Sequence, residues 1–345
     1  LKKIKSKRSF NYFDLIKFRE KNPKTKCSMF DSTLFEAIES LISSVDKKSL
    51  QKSAESLSMR YRSRQNQEET FIKNKEEALA YLCMRFPATY AANNHVFSRI
   101  NQLSLPFSYS SFLDVGSGSG SSFFSAQSCF GAFSKVCFIE KDLNLIEIGK
   151  FLIKESKTST TTSWVFGDFI TKEFPNNFDV VSFSYSLGEI KNYKDVLSKA
   201  IVSFNDLLVI IEPGTPAGFE RILKYREFLL SKGLFLLAPC PGPFSCPMQN
   251  GKWCHFSERL SRSSLHRFLK GGTLGFEDEK LSYLVFSKKQ FNKHLPRLLS
   301  FPSKKTGFIE AEFCMPDGTL THKKFLKKEE EEYRKIKKAK WGDSF

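Results

Sequence analysis

No apolar run in the 345 residues approaches the ~20 that a membrane-spanning helix needs, so an integral membrane class is excluded. The opening stretch, LKKIKSKRSFNYFDLIKFREKN, lacks a secretory apolar core; it is basic and broken by charges. Asp14 and Glu20 also make it a poor mitochondrial presequence. Cysteine is scarce: eight residues are too few for a disulfide scaffold. No C-x₂₋₄-C pair of the zinc-finger kind occurs, and neither does C-x₃-C-x₂-C. There is no internal repeat and no long low-complexity tract. Acidic residues are in deficit, 37 against 54 Lys+Arg, for a formal charge of +17.

What is present is enough to fold. Apolar residues make up 41% of the chain, which supports a real core and excludes global disorder. At ~150 residues per domain the length suggests about two domains. The basic excess falls in the N-terminal 30 residues, in 252–270 and in the last 25. Lys and Arg on phosphates release counterions, so this charge points to a polyanionic partner, RNA foremost.

The first 105 residues read as helical. STLFEAIESLISSV, KSLQKSAESLSMRYRS and KEEALAYLCMRFPATYAANNHVFSRINQL carry apolar residues at helical spacing. From Ser111 the pattern changes to strands alternating with helices. SFLDV, KVCFIE, TTSWVF, NFDVVSFSYS and DLLVIIEP read as five strands, with helical stretches between. EKLSYLVFSK and TGFIEAEFCM read as a terminal antiparallel pair. KKFLKKEEEEYRKIKKAK reads as an exposed helix with Glu–Lys pairs at i,i+4.

Gly116, Gly118 and Gly120 follow the first strand directly. Glycines there let the backbone approach a ligand and open a helix whose N–H groups face it. Asp114 precedes them, and Glu140 ends the second strand, where a carboxylate can accept both ribose hydroxyls. A dinucleotide fingerprint places its third glycine one residue later. The loop resembles that of S-adenosylmethionine-dependent methyltransferases. That resemblance implies that Gly116–Gly120 wrap the methionine part, Glu140 binds the ribose and Asp168 lies near the adenine. The fourth strand ends in SFSYSLGEI, with neither the Asn/Asp-Pro-Pro-aromatic motif of amino methyltransferases nor a Pro-Cys nucleophile. No base or nucleophile offers itself.

Cys240, Cys246 and Cys254 cluster in one Pro/Gly-rich stretch, APCPGPFSCPMQNGKWCHF. Thiolates on a rigid loop suit a soft metal. Cys314, before a Pro-Asp-Gly turn, is the best fourth ligand; His255 is the runner-up. Spacing alone leaves an iron–sulfur cluster, zinc and plain buried thiols all open. Arg259, Arg262, His266, Arg267 and Lys270 recur at roughly helical spacing and read as a phosphate-facing helix, with a solvated basic face as the alternative; Glu277, Asp278 and Glu279 of the neighbouring FEDEK offer internal partners for those cations.

RFPATYAA (85–92), FLDVGSGSG, IIEPGTPAGF (210–219), APCPGPFSCP, KWCHF, KGGTLGFEDEKLSYLVFSK (270–288) and KKAKWGD (337–343) occur in one order. Together they resemble the methyltransferase-like small-ribosomal-subunit assembly factors of mitochondria and bacteria, from about residue 55 onward. The resemblance implies an α/β, Rossmann-like class I methyltransferase fold working on small-subunit rRNA and ribosomal proteins. It also implies a [4Fe–4S] cluster on Cys240, Cys246, Cys254 and Cys314. The expected organisation is a helical region at 1–105, the methyltransferase-like domain at 106–325 with a Cys-rich insertion at 236–272, and a basic tail at 326–345. The expected state is a monomer with no membrane partner. The chain is short for a mitochondrial member, which tilts the expectation to a bacterial-type cytoplasmic protein, with the mitochondrial matrix as the alternative. Two functions remain: an rRNA methyltransferase, or a non-catalytic assembly factor that clamps immature RNA. A zinc-binding methyltransferase is a further alternative.

Overall fold

The computed structural model describes residues 32–63, 72–248, 251–291 and 295–345. The basic stretch 1–31 lies outside the described residues. Three helices come first: α1 (Ser32–Ser43), α2 (Lys47–Ser63) and α3 (Lys75–Gln102). Asn74 caps α3 by accepting the Glu77 N–H, while the Glu77 carboxylate takes the Lys73 N–H and the Arg60 guanidinium. These interactions satisfy donors that a helix N-terminus leaves free.

The central sheet contains β1 (Ser111–Val115), β2 (Lys135–Glu140), β3 (Thr161–Phe166), β4 (Phe178–Ser184) and β5 (Phe204–Pro213). It is completed by β6 (Phe235–Ala238), β7 (Phe256–Ser261) and β8 (Phe276–Ser287). Its order is β3-β2-β1-β4-β5-β8-β6, with β7 also on β8. The first five strands are parallel, and β8 runs antiparallel to β5 and β6. The crossovers are α4 (Ser121–Phe130), α5 (Leu143–Glu155), α6 (Tyr193–Ser203) and α7 (Pro216–Ser231).

Parallel strands are covered on both faces, so their side chains feed two cores in alternation. Phe112, Val180, Leu207, Val209 and Ile211 join α3, α4 and α5 in one core. Leu113, Val181, Leu208 and Ile210 join α6 and α7 in the other. The strand order reverses between β1 and β4. That switch point is where open α/β sheets bind ligands.

The sheet ends differently from the sequence expectation. β8 is the antiparallel strand of EKLSYLVFSK, but its partners are β5, β6 and β7. TGFIEAEFCM leaves for a second sheet of β9 (Arg297–Leu298), β10 (Ser303–Lys305), β11 (Phe308–Cys314) and β12 (Leu320–Leu326). There Ile309, Ala311, Phe313 and Phe325 close a small core with Ile336 of α9 (Glu330–Lys338). The alternating burial of β11 suits a sheet covered on one face only. The charged segment is therefore split: its first lysines are on β12, and only the part from Glu330 is helical, with an Arg334–Glu330 pair at i,i+4.

Candidate functional site

The glycine loop leaves β1 at the switch point. Gly116, Gly118 and Gly120 all have positive φ, at 69°, 55° and 90°. A Cβ on Gly116 would stand 2.5 Å from the Ser186 Cβ, so the first glycine is required by space as well as conformation. The N–H groups of Gly116 and Ser117 both donate to the Ile139 carbonyl, at 2.9 and 3.2 Å, tying the loop to β2. Glu140, at the end of β2, accepts from Gly118 N–H at 2.7 Å, Lys141 N–H at 2.8 Å and Asp142 N–H at 2.9 Å. Two oxygens with about four lone-pair sites leave one acceptor free. Burial raises the Glu140 pKa against the pull of those N–H groups.

Asp114 is 1% exposed, and neither carboxyl oxygen has a hydrogen-bond partner. Burial pushes its pKa well up, opposed by the nearby Phe123 N–H. The Ser117 hydroxyl is likewise buried without a partner. Asp168, after β3, accepts from Ile170 N–H at 2.9 Å and faces Lys141 at 3.9 Å. Sequence-distant carboxylates thus gather around one glycine turn, and the orphaned Asp114 and Ser117 atoms suit a polar ligand such as S-adenosylmethionine.

The end of β4 offers little chemistry. Ser184 Oγ accepts from Asn93 Nδ2 at 2.9 Å, and Ser186 Oγ donates to the Val115 carbonyl at 2.8 Å. Between them Tyr185 takes a left-handed φ of 58°, with the Arg85 guanidinium 5.7 Å from its ring centroid. Burial pushes the Tyr185 phenol well above its ordinary range, so it is a proton donor and not a base.

The second site lies at the outer edge of β8. β6 and β7 both pair with β8, and the chain between them loops out and back. Cys240, Cys246 and Cys254 of this loop, with Cys314 at the end of β11, line one cavity of about 680 Å³ counted with its open mouth. Its walls are mainly apolar, including Phe219, Ile222, Phe244 and Met315. Ser282 Oγ donates to the Cys254 carbonyl at 2.7 Å, and Trp253 Nε1 donates to the Gly214 carbonyl at 3.1 Å. Burial and the neighbouring thiols Cys240, Cys246 and Cys314 push the Cys254 thiol well up. Burial is also the main cause for Cys314, pushed up to about 12. Such thiols ionise readily only when a metal ion binds the sulfur directly. Among the described residues no group of three or more His, Cys, Asp or Glu stands close enough together to hold a metal ion as it is.

Sequence reasoning missed two residues of this cavity, Arg226 and Arg297. A signal was available: Arg226 interrupts the apolar stripe Phe219, Ile222 and Leu229 on α7.

The phosphate-facing helix expected at 259–270 is not there. Arg259 lies on β7 and pairs with Asp278 at 2.7 Å. Arg262 and Lys270 share Glu277, at 2.7 and 2.8 Å. Only Ser264–Lys270 is helical (α8), and His266 in it is buried. Burial holds the His266 pKa down at about 4, so it is neutral near pH 7. The acidic FEDEK segment pairs with β7 and neutralises most of these cations internally.

A glycine turn at the switch point of a parallel sheet, with one antiparallel strand inserted between β5 and β6, defines a class I methyltransferase fold. The family model described as "Mitochondrial small ribosomal subunit Rsm22" matches residues 75–345, and the chain belongs to that family. The human "Ribosome assembly protein METTL17, mitochondrial" is 24% identical over 287 residues, covering 77% of this chain and 62% of that protein. "Rsm22-cox11 tandem protein 2, mitochondrial" of Schizosaccharomyces pombe is 25% identical over 332 residues, covering 81% and 44%. The chain therefore spans about half the length of these relatives. Solved structures with similarity include the YcgJ protein of Bacillus subtilis (11% identity, 57% of this chain and 99% of that one, TM-score 0.39). Another is M. jannaschii TYW2 in complex with AdoMet (14% identity, 57% and 77%, TM-score 0.33). At these scores no argument rests on them.

Proposed function

We propose that the chain is an assembly factor of the small ribosomal subunit that binds its rRNA and ribosomal proteins. In this reading S-adenosylmethionine occupies the glycine loop, and a [4Fe–4S] cluster is held by Cys240, Cys246, Cys254 and Cys314. The observation that carries it is the convergence of those four cysteines, brought from separate segments, on one mainly apolar cavity. Zinc on the same thiols is the alternative; the chain has none of the paired C-x₂₋₄-C spacings that zinc sites favour, while the absence of a preformed metal-holding group among the described residues favours neither metal. The relatives are named as mitochondrial proteins, which favours the mitochondrial matrix; the bacterial-type cytoplasmic expectation finds no support in them.

At the glycine loop, Asp114 and Ser117 would meet the polar end of the cofactor and Glu140 its ribose. When bound, S-adenosylmethionine supplies an electrophilic methyl group. The residues after β4 do not prepare an acceptor, since Ser184 and Ser186 are both held within the fold and the Tyr185 proton is firmly bound. That favours the binding role over methyl transfer. For RNA, exposed Lys304, Lys305 and Lys324 on the second sheet, Lys337 on α9, and Lys327 and Lys328 between the two are better placed than the neutralised 259–270 segment.

Anaerobic purification with iron and sulfide analysis tests the cluster: four irons and matching sulfide are expected, and zinc or no metal would reject it. Co-sedimentation with small subunits tests the partner. Labelled S-adenosylmethionine with small-subunit rRNA tests the chemistry; transfer of label would restore the enzyme reading.

A further inference from the structure

A guanidinium buried without an anion is costly, because it loses water and gains only dipoles. Two arginines of the cysteine cavity stand in that position. Arg226 on α7 is 5% exposed and Arg297 on β9 is 6% exposed. Their hydrogen bonds go to carbonyl oxygens. Arg226 donates to Gly242 and Phe244, and Arg297 to Pro239 at 2.7 Å and Gly342 at 2.8 Å. Arg226 Nε has no partner at all. Among the described residues neither guanidinium forms an ion pair with a carboxylate.

Both line the cavity that the four thiols share. Arg297 is the direct cross-strand neighbour of Cys314 in the β9–β11 pairing. Arg226 acts electrostatically on Cys246 and Cys314, and Arg297 on Cys254 and Cys314. The carbonyl clamps fix each cation in place.

We propose that Arg226 and Arg297 are built-in counter-charges for a metal–thiolate centre in this cavity, positioning residues that balance its net negative charge. The proposal rests on the cluster reading above. A dicationic core held by four thiolates carries two net negative charges, and two buried guanidiniums match them. Four neutral thiols would need no such pair. A cation fixed beside the centre favours the state with one more electron, so it raises the reduction potential.

The competing explanation is that the arginines only buckle the loop through Pro239, Gly242 and Phe244. Charge and shape separate in the full chain, reconstituted anaerobically with ferrous iron and sulfide. Arg226→Gln and Arg297→Gln keep an amide donor and lose the charge; Arg226→Lys and Arg297→Lys keep the charge and lose the fork. Iron and sulfide content and the midpoint potential, titrated with dithionite, are compared with the unmodified chain. The Gln variants should shift to more negative potential and release iron to a chelator faster, by tenfold or more. The Lys variants should stay near the unmodified value in both. Gln variants with an unchanged potential would overturn the proposal. So would Lys and Gln variants that fail alike. If the unmodified chain takes up no iron and sulfide, the cluster reading itself falls, which is a separate result.

Discussion

The glycine loop and the cysteine cavity are built in opposite ways. The first hangs from the ends of β1 and β2, central strands buried on both faces and bonded on both sides. Its shape is set by Ile139, Glu140 and three left-handed glycines, whatever it binds. The second hangs from the outermost edge of the same sheet and from a different, smaller sheet. Its walls join the cysteine loop to residues of α7, β8 and β9, its polar side chains include four thiols and two guanidiniums, and its thiols repel one another's ionisation. A scaffold holds the one; in the proposed reading a ligand completes the other.

Breaking that comparison calls first for Cys254→Ser. It should remove the metal and cost more than about 4 kcal/mol in stability. Calorimetry should find S-adenosylmethionine affinity within a few-fold of the unmodified chain; loss of both together would mean that the two sites are one unit. Next is Gly116→Ala, whose Cβ meets Ser186 in a left-handed backbone. About 4 kcal/mol is expected from strain plus overpacking, with cofactor binding abolished and iron content retained.

Acid should act in opposite directions on His266 and on the carboxylates of the glycine loop. His266 on α8, a helix packed against α2 and α3, has its pKa lowered to about 4 by burial, so it is neutral in the fold. Between pH 6.5 and 4 the unfolded chain binds the extra proton, and stability falls with pH by up to about 3 kcal/mol. Asp114 and Glu140 on the glycine side have raised pKa values, so their contribution grows as pH falls. Thermal melts from pH 7 to 4.5 should show a smaller acid loss in His266→Gln; an unchanged slope would remove His266 from the account.

Gly118→Ala is the milder test. Its φ is 55° but no atom lies within 4 Å of the added Cβ, so about 1 kcal/mol is expected. Smallest of all is Arg259→Ala, an exposed pair with Asp278, which should leave both the melting temperature and rRNA affinity unchanged. A clear loss of RNA binding there would restore the phosphate-facing role of 259–270.

What was legible in the sequence follows the same division. The five parallel strands and the glycine turn are local patterns, visible as apolar runs ending in Gly or an acid. The cysteine loop was legible as composition, and Cys314 only through its turn and the family resemblance. The fate of β11 was not legible, because a half-buried strand reads alike in either sheet. The neutrality of the 259–270 cations was legible in the neighbouring FEDEK, but their strand placement was not: the pairing of β7 with β8 sets Arg259 opposite Asp278.

Arg297 joins the base of the cysteine loop at Pro239 to Gly342, beside which Arg99 of α3 grips Trp341 and Asp343. During synthesis, then, Cys240, Cys246 and Cys254 emerge from the ribosome long before the pieces that wall them in. Until residue 342 is out, those thiols stand open to oxidants and stray metals. On the proposed reading, an inorganic centre in this cavity would be completed only after translation has passed that point.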